Sequence, residues 1–459
     1  MIVTSIDPRT GEEVARFRST RLADVRAAVA MARIGQRAWW GYQSRSDRIA
    51  VMKAAEKALE RSKSRLVDSA ALETGIPKGA IAAGFDSAMR GFAYYISRYE
   101  KLDDLDFPLD PNLWKDVNAR VVFEPHGVVG QIGVWNYPIW QTLITSIPAL
   151  LTGNSLVYKP SEYVTMTGLG IADALHEGGV PEDVFSTIIG GRSVGRALVR
   201  SDCNALVFTG GLRTGREIAR QVGVKPLILE LSGNDAGIVC DDADPETAVR
   251  GIATGTFSRA GQVCIRIKRV YVAERIADRF LEMLVDVSSR IDVVNQIGPL
   301  IRESAREKVD SLVKEAVAEG ATLMFGGKKV DGPGYFYQPT ILLLKRPSKV
   351  MSEETFGPVC SVMVVKDDDE AVRLANDSQY GLGATVWTTD LDRARRLALN
   401  LEAGNVWVNE QGRVLTCGEY FQGWKSSGIP GSQERLMMFL KKKAIIMHTV
   451  SEPEASWFK

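Results

Sequence analysis

A run of strand–helix units between Val128 and Leu231 constrains this chain more than any other feature. Val128 to Val134 is an apolar strand and Tyr137 to Leu151 is helical. Ser155 to Tyr158 is a strand, followed by a helix from Met166 to His176 that stops at Gly178-Gly179. Val184 to Ile189, Ala205 to Phe208 and Leu227 to Leu231 read as further strands, with helices over Val194 to Val199 and Thr214 to Val222 between them. Alternation at this spacing implies a parallel sheet with helices on both faces. After Asp241 the alternation restarts, with helices over Glu246 to Phe257, Ala277 to Ser289 and Asp368 to Asn376. Strands over Arg269 to Ala273, Thr322 to Phe325, Val362 to Val365 and Asn405 to Asn409 complete a second α/β unit.

The flanks read differently. Leu22 to about Glu73 is helical in pattern, and Pro108 to Asn112 is a Pro-rich break. Ala119 to Phe123 reads as an exposed strand. Lys443 to Met447 is a short tail strand with no partner nearby in sequence, the kind that pairs with a distant element or another subunit. At 459 residues the chain exceeds what one hydrophobic core holds, so two or more domains are expected.

Net charge is +1, and no segment interleaves basic with aromatic residues, so nucleic acid is not an expected partner. The most apolar stretch, Val128 to Leu151, is interrupted by Gln131, Asn136, Pro138, Gln141 and Pro148, against a membrane span. The N-terminus has no basic region followed by an apolar run. Five Cys stand at 203, 240, 264, 360 and 417, without C-x-x-C or zinc spacing; no metal site is expected, and a reducing, cytoplasmic location is. The three His (126, 176 and 448) read as structural, so proton chemistry falls to a carboxylate.

Several segments carry chemistry when taken together. Phe208-Thr209-Gly210-Gly211-Leu212-Arg213-Thr214-Gly215 follows a strand and opens a helix, where glycines let the backbone approach a pyrophosphate. By itself it reads equally as a plain turn. Lys159-Pro160-Ser161-Glu162 ends another strand, either as a simple stop or as a pair of ribose-binding side chains. Cys264, flanked by Val263 and Ile265, reads alone as a buried inert thiol. Glu230 closes an apolar strand as a cap or a placed base, and Asn136 is a possible oxyanion donor before Tyr137-Pro138. In combination they offer a nucleophile, a base, an oxyanion donor and a dinucleotide site, the set a covalent oxidation requires.

The chain resembles the NAD(P)-dependent aldehyde dehydrogenase superfamily, from Asp7-Pro8-Arg9-Thr10-Gly11-Glu12 to Lys425-Ser426-Ser427-Gly428. Five motifs in order carry the resemblance: Trp135-Asn136-Tyr137-Pro138, Lys159-Pro160-Ser161-Glu162, Leu229-Glu230-Leu231-Ser232-Gly233, Gly261-Gln262-Val263-Cys264 and Glu353-Glu354-Thr355-Phe356-Gly357-Pro358-Val359. It implies Cys264 as nucleophile, Glu230 as general base, and Asn136 with the Cys264 N–H as oxyanion donors. Lys159 and Glu162 would meet the adenosine ribose, Gly210, Gly211, Thr214 and Gly215 the pyrophosphate, and Glu354 and Phe356 the nicotinamide end. Further cofactor contacts are implied at Ile132, Trp135, Ser161, Gly191, Gly195, Phe208, Thr209 and Leu231.

The same resemblance implies a Rossmann-like cofactor domain (1–106 and 126–232), an α/β catalytic domain (233–430) and a small β bridging region (107–125 and 431–459). That region would build a homodimer or homotetramer. Glu162 favours a free ribose hydroxyl, hence NAD, with NADP possible. Tyr137, Trp140, Val263, Ile265 and Phe421 are candidate walls for an apolar aliphatic or aromatic aldehyde. Arg266 and Arg120 keep a carboxylate-bearing aldehyde open, and Arg266 or Lys268 is a candidate for favouring the thiolate. Gly211, Ser232, Gln422 and Trp424 depart from common family residues, the last two within a segment the family uses near its substrate pocket.

Overall fold

The computed structural model describes residues 1–41, 43–107, 109–110, 117–414, 421–429 and 434–448. The break expected at Pro108 to Asn112 falls mostly outside these residues, and Cys417 wholly so. Two largely parallel sheets organise the chain. The first has six strands in the order Gly428–Ile429, Leu227–Glu230, Ala205–Thr209, Val128–Ile132, Ser155–Lys159, Phe185–Thr187. All neighbours run parallel except Gly428–Ile429, which adds antiparallel at the edge. Val128–Ile132 and Ser155–Lys159 are buried at every residue, as strands covered on both faces must be.

The chain builds this sheet outward from Val128–Ile132 through Ser155–Lys159 to Phe185–Thr187. It then crosses back to lay down Ala205–Thr209 and Leu227–Glu230 on the other side. The strand order therefore reverses between Val128–Ile132 and Ala205–Thr209. At the carboxyl ends of such a pair the connections diverge to opposite faces and leave a crevice.

The second sheet has seven strands in the order Thr322–Phe325, Thr340–Leu344, Val359–Val365, Ile267–Ala273, Asp235–Val239, Gly383–Trp387, Asn405–Val408, with only the first antiparallel. A third, antiparallel sheet orders Leu440–His448, Val117–Pro125 and Leu105–Phe107. The tail strand thus finds its partner more than 300 residues back, as Leu440 opposite Pro125 through His448 opposite Val117. It is longer than the pattern Lys443 to Met447 predicts, and it presents Ile446 and Met447 at 69% and 52% exposure.

The helical stretch expected from Leu22 to Glu73 is three helices, Leu22–Gly41, Arg45–Arg61 and Lys63–Thr74. Ser44 starts the second with a capping box, its hydroxyl accepting from the Asp47 N–H while Asp47 accepts from the Ser44 N–H. A further helix, Lys78–Glu100, was not apparent from the pattern because Gly79, Gly84 and Gly91 dilute its apolar stripe. It packs on Pro138–Leu151, a helix with proline at its first position, where the missing N–H costs nothing. Trp39, Phe85, Phe92, Tyr95, Leu143 and Phe185 share one core there. The strand expected over Val184 to Ile189 is only Phe185–Thr187. Among the described residues no helix is long and apolar enough to cross a membrane.

Close approach of helix and sheet fixes one glycine. A Cβ at Gly251, on the helix Pro245–Phe257, would lie 1.9 Å from Cη2 of Trp387, a buried strand residue. Gly251→Ala is expected to lower stability by about 1–3 kcal/mol through overpacking, read as an earlier urea midpoint with unchanged slope; an unchanged midpoint would contradict this packing.

Candidate active site

A cavity of about 1050 Å³ opens at the carboxyl ends of the first sheet, where the strand order reverses. Every residue named above as catalytic or cofactor-binding lines it except Gly215 and Leu231. Those two pack on each other: a Cβ on Gly215 would meet Leu231 Cδ2 at 2.4 Å. Helix Leu212–Val222 is seated on its strand at this point, so the two residues support the wall instead of forming it.

At one end, Gly210 (φ +159°) turns the chain from Ala205–Thr209 into helix Leu212–Val222. A Cβ at Gly211 would meet nothing within 4 Å, so the helix N-terminus faces open space. Ser232, a departure from the common glycine, has a use here: its Oγ accepts the Leu212 N–H at 3.2 Å, satisfying one of the helix's free donors. Lys159 is 3% exposed; its Nζ donates to Pro160 O (2.8 Å) and Gly190 O (2.6 Å) and lies 3.6 Å from Glu162 Oε2. Burial lowers the Lys159 pKa, and Glu162 opposes that shift. Arg192 and Arg196 line the same end but are engaged by Glu217, at 2.7 and 3.6 Å. Farther along, Trp135 and Phe356 meet edge-to-face with centroids 5.7 Å apart, and Phe356 sits at φ +46°. Glu354 Oε1 is buried without a hydrogen-bond partner, 3.6 Å from Lys268 Nζ.

Cys264 stands in the loop between helix Pro245–Phe257 and strand Ile267–Ala273. Arg259 and Ala260 enter that loop in the left-handed region, φ +54° and +51°. Three side chains hold it. Gln262, fully buried, donates to Arg259 O and Pro299 O and accepts the Ile301 N–H. Arg259 donates to Asn136 O (2.9 Å) and Ala80 O (2.7 Å), with its guanidinium 4.0 Å from the Tyr137 ring centroid. Asn136 Nδ2 donates to Gln262 O at 2.9 Å, which joins the two loops directly. Lys268 Nζ donates to Gly233 O (2.7 Å) and Cys264 O (3.1 Å), tying the loop to the turn after Glu230.

Glu230 ends its strand with both oxygens engaged. Oε2 accepts from Gln141 Nε2 (2.5 Å) and, at 3.4 Å, from Thr209 Oγ1, while Oε1 accepts from Arg435 Nη2 (2.7 Å). Sequence reasoning passed over Arg259, Gln141 and Arg435. The first two lie within or beside recognised motifs. Arg435 follows a segment with no periodic signal and reaches Glu230 across 205 residues.

Tyr137, Trp140, Val263, Ile265 and Phe421 all line the cavity around Cys264, and Tyr137 and Trp140 stack edge-to-face at 6.1 Å. The departures Gln422 and Trp424 do not line it: Gln422 O accepts from Asn405 Nδ2, and Trp424 pairs in a ribbon with Gly381. Arg266 and Arg120 do not reach the cavity either. Arg266 is fully buried with Nη1 on Gly357 O and Val359 O, and Arg120 is exposed and paired with Asp106.

Burial pushes the Cys264 thiol up, to about 12; Asp235, Glu354 and Glu230 add to the rise and Lys268 alone opposes it. Of the two cations named for favouring the thiolate, Lys268 opposes the rise, and Arg266 is turned onto the main-chain carbonyls of Gly357 and Val359. Burial also raises Asp235 to about 7, with Lys268 the main opposing charge.

The chain matches the Aldehyde dehydrogenase family over residues 2–445. It is similar to betaine aldehyde dehydrogenase of Bacillus subtilis (strain 168), 35% identical over 421 residues that cover 88% of this chain and 85% of the relative. It is similar also to a succinate-semialdehyde dehydrogenase [NADP(+)] of Mycobacterium avium (strain 104), 34% identical over 93% of this chain and 92% of the relative. Among solved structures, Escherichia coli lactaldehyde dehydrogenase superposes with TM-score 0.93 at 29% identity, covering 98% of this chain and 96% of that one. Staphylococcus aureus betaine aldehyde dehydrogenase in complex with NAD+ gives TM-score 0.94 at 31% identity, covering 100% of this chain and 94% of that one. A fold of two parallel sheets, a cavity at their junction and these matches across nearly the whole length agree: the chain belongs to the aldehyde dehydrogenase family.

Proposed function

We propose that this protein oxidises an apolar aliphatic or aromatic aldehyde to its carboxylic acid with NAD as acceptor, NADP serving less well. The observation that carries the reading is one cavity lined at one end by Cys264, Glu230 and Asn136 and at the other by the Gly210–Gly211 turn, Lys159 and Glu162. In this reading residues 1–106 and 126–232 form the cofactor unit and 233–430 the catalytic unit. Segments 107–125 and 431–459 bridge subunits into a dimer or tetramer, a role that suits the exposed edge of Leu440–His448.

The residues present fit a dinucleotide. The open helix N-terminus at Gly211 suits a pyrophosphate, the unpartnered Glu354 Oε1 suits a ribose hydroxyl, and Glu162 disfavours a 2′-phosphate. Because Glu217 already engages Arg192 and Arg196, their charge does little to reverse that preference. The bound nicotinamide supplies a hydride acceptor.

Cys264, once deprotonated, adds through sulfur to the aldehyde carbon and places the charge on oxygen. Asn136 uses one amide N–H on Gln262 O and has the second for that oxyanion, beside the Cys264 N–H. Loss of hydride restores the carbonyl as a thioester. Glu230 then takes a proton from water, the water oxygen attacks the thioester carbon, and the thiolate leaves with release of the acid.

Cys264→Ala is expected to abolish aldehyde-dependent cofactor reduction at 340 nm, and equal activity in both proteins would refute the nucleophile. Asn136→Ala should lower kcat by about 10²–10³ with little change in aldehyde KM. Comparison of the two cofactors should give an NAD preference in kcat/KM of about tenfold or more that shrinks in Glu162→Gln; a preference for NADP would contradict the role of Glu162. A raised thiol pKa leaves the apoprotein mostly neutral at Cys264 near neutral pH. Alkylation of Cys264 by iodoacetamide should therefore climb about tenfold per pH unit with no plateau below about pH 9. A plateau near about pH 8 would mean that groups other than Lys268 stabilise the thiolate.

A further inference from the structure

Glu230 is gripped from outside the reaction chamber. Gln141, which holds Oε2, lines the cavity together with Glu230, whereas Arg435, which holds Oε1, does not line it. The Arg435 side chain is 3% exposed and that of Glu230 13%. Arg435 begins the 3₁₀ turn Arg435–Phe439, whose Leu436 and Phe439 are buried in the core around Trp39 and Phe85, and which runs straight into strand Leu440–His448. The guanidinium is therefore carried on an anchored element.

A buried carboxylate at a strand end has two torsions of freedom beyond Cβ, and a single contact from Gln141 leaves it free to turn about that contact. A second donor on the other oxygen, from the opposite direction, removes that freedom. A carboxylate offers about four acceptor sites, so Arg435, Gln141 and the long Thr209 contact still leave room for a water. A charged planar donor is the side chain best suited to hold a carboxylate without itself taking part in proton transfer, because it does not deprotonate.

We propose that Arg435 is a positioning residue for thioester hydrolysis: it holds Glu230 aimed at the water that attacks the acyl group on Cys264, and has no part in the hydride-forming step. This rests on the reading of Glu230 as the base. It makes the second half-reaction, and not the first, depend on the C-terminal segment that joins the third sheet.

The test is rapid-mixing kinetics with NAD and an aldehyde, comparing wild type, Arg435→Met, Arg435→Lys, Glu230→Gln and the double variant Glu230→Gln/Arg435→Met. For Arg435→Met the expected result is a pre-steady-state burst of NADH whose rate stays within about twofold of wild type, followed by turnover slowed about tenfold or more. The burst amplitude counts folded, acylating sites, so a loss of fold is not mistaken for the effect. Arg435→Lys should recover part of the turnover, because a cation is restored. The double variant should turn over no more slowly than Glu230→Gln, since the positioning role of Arg435 is exercised through that carboxylate. Turnover of Arg435→Met equal to wild type would overturn the proposal. So would a burst that falls as far as turnover, or a double variant slower than Glu230→Gln by the full Arg435→Met factor. If Glu230→Gln itself hydrolyses the thioester at the wild-type rate, the base assignment fails first, and the Arg435 role with it.

Discussion

The hydrogen bond from Asn136 Nδ2 to Gln262 O is the constraint on which the site depends. It joins the turn after the first sheet's central strand to the loop that carries Cys264 into the second sheet. Neither sheet alone forms the cavity. The first contributes the carboxyl ends of its strands; the second contributes the segments that precede Ile267–Ala273 and Val359–Val365, with Cys264 in one and Glu354 and Phe356 in the other. Arg259 on Asn136 O and Lys268 on Gly233 O repeat the connection on either side. These donors are buried and their acceptors are main-chain carbonyls, so a shift of one loop leaves a polar group unsatisfied, at roughly 1–3 kcal/mol each. That penalty holds the two loops in one relative position.

The same burial sets the electrostatics. Cys264, Asp235, Lys268 and Arg266 all sit where desolvation is the leading influence on their protonation. Among these groups the Cys264 thiol is pushed up, to about 12. Lys268 is the local cation that eases its ionisation, and it is held to the loop by the Cys264 carbonyl itself. Arg266 and Arg120, which kept a carboxylate-bearing aldehyde open beside an apolar one, are engaged elsewhere, one on main-chain carbonyls behind the loop and the other on a surface carboxylate. The side chains around Cys264 are aromatic and branched aliphatic.

Much of this was readable in the linear chain because it is local. The strand–helix alternation from Val128 to Leu231 is a periodic pattern, and each strand formed close to its expected place. Gly210 and Gly211 mark the turn that opens helix Leu212–Val222, and the motifs around Asn136, Glu230 and Cys264 are contiguous. Even Ser232, an apparent departure, completes the helix start it stands beside. The helix Lys78–Glu100 is harder to read because Gly79, Gly84 and Gly91 interrupt its apolar stripe.

The amino-acid order by itself determined the two α/β units, the residue types available for chemistry and the turn that opens helix Leu212–Val222, because each depends on a few adjacent residues. Only the tertiary structure decided that Arg435 meets Glu230, that Arg259 braces the Asn136 turn, and that the tail strand lies on Val117–Pro125. Those pairings join segments more than 100 residues apart. Nothing in a short window encodes them; they follow from how the sheets are stacked and from the cost of leaving buried polar groups unpaired once they are.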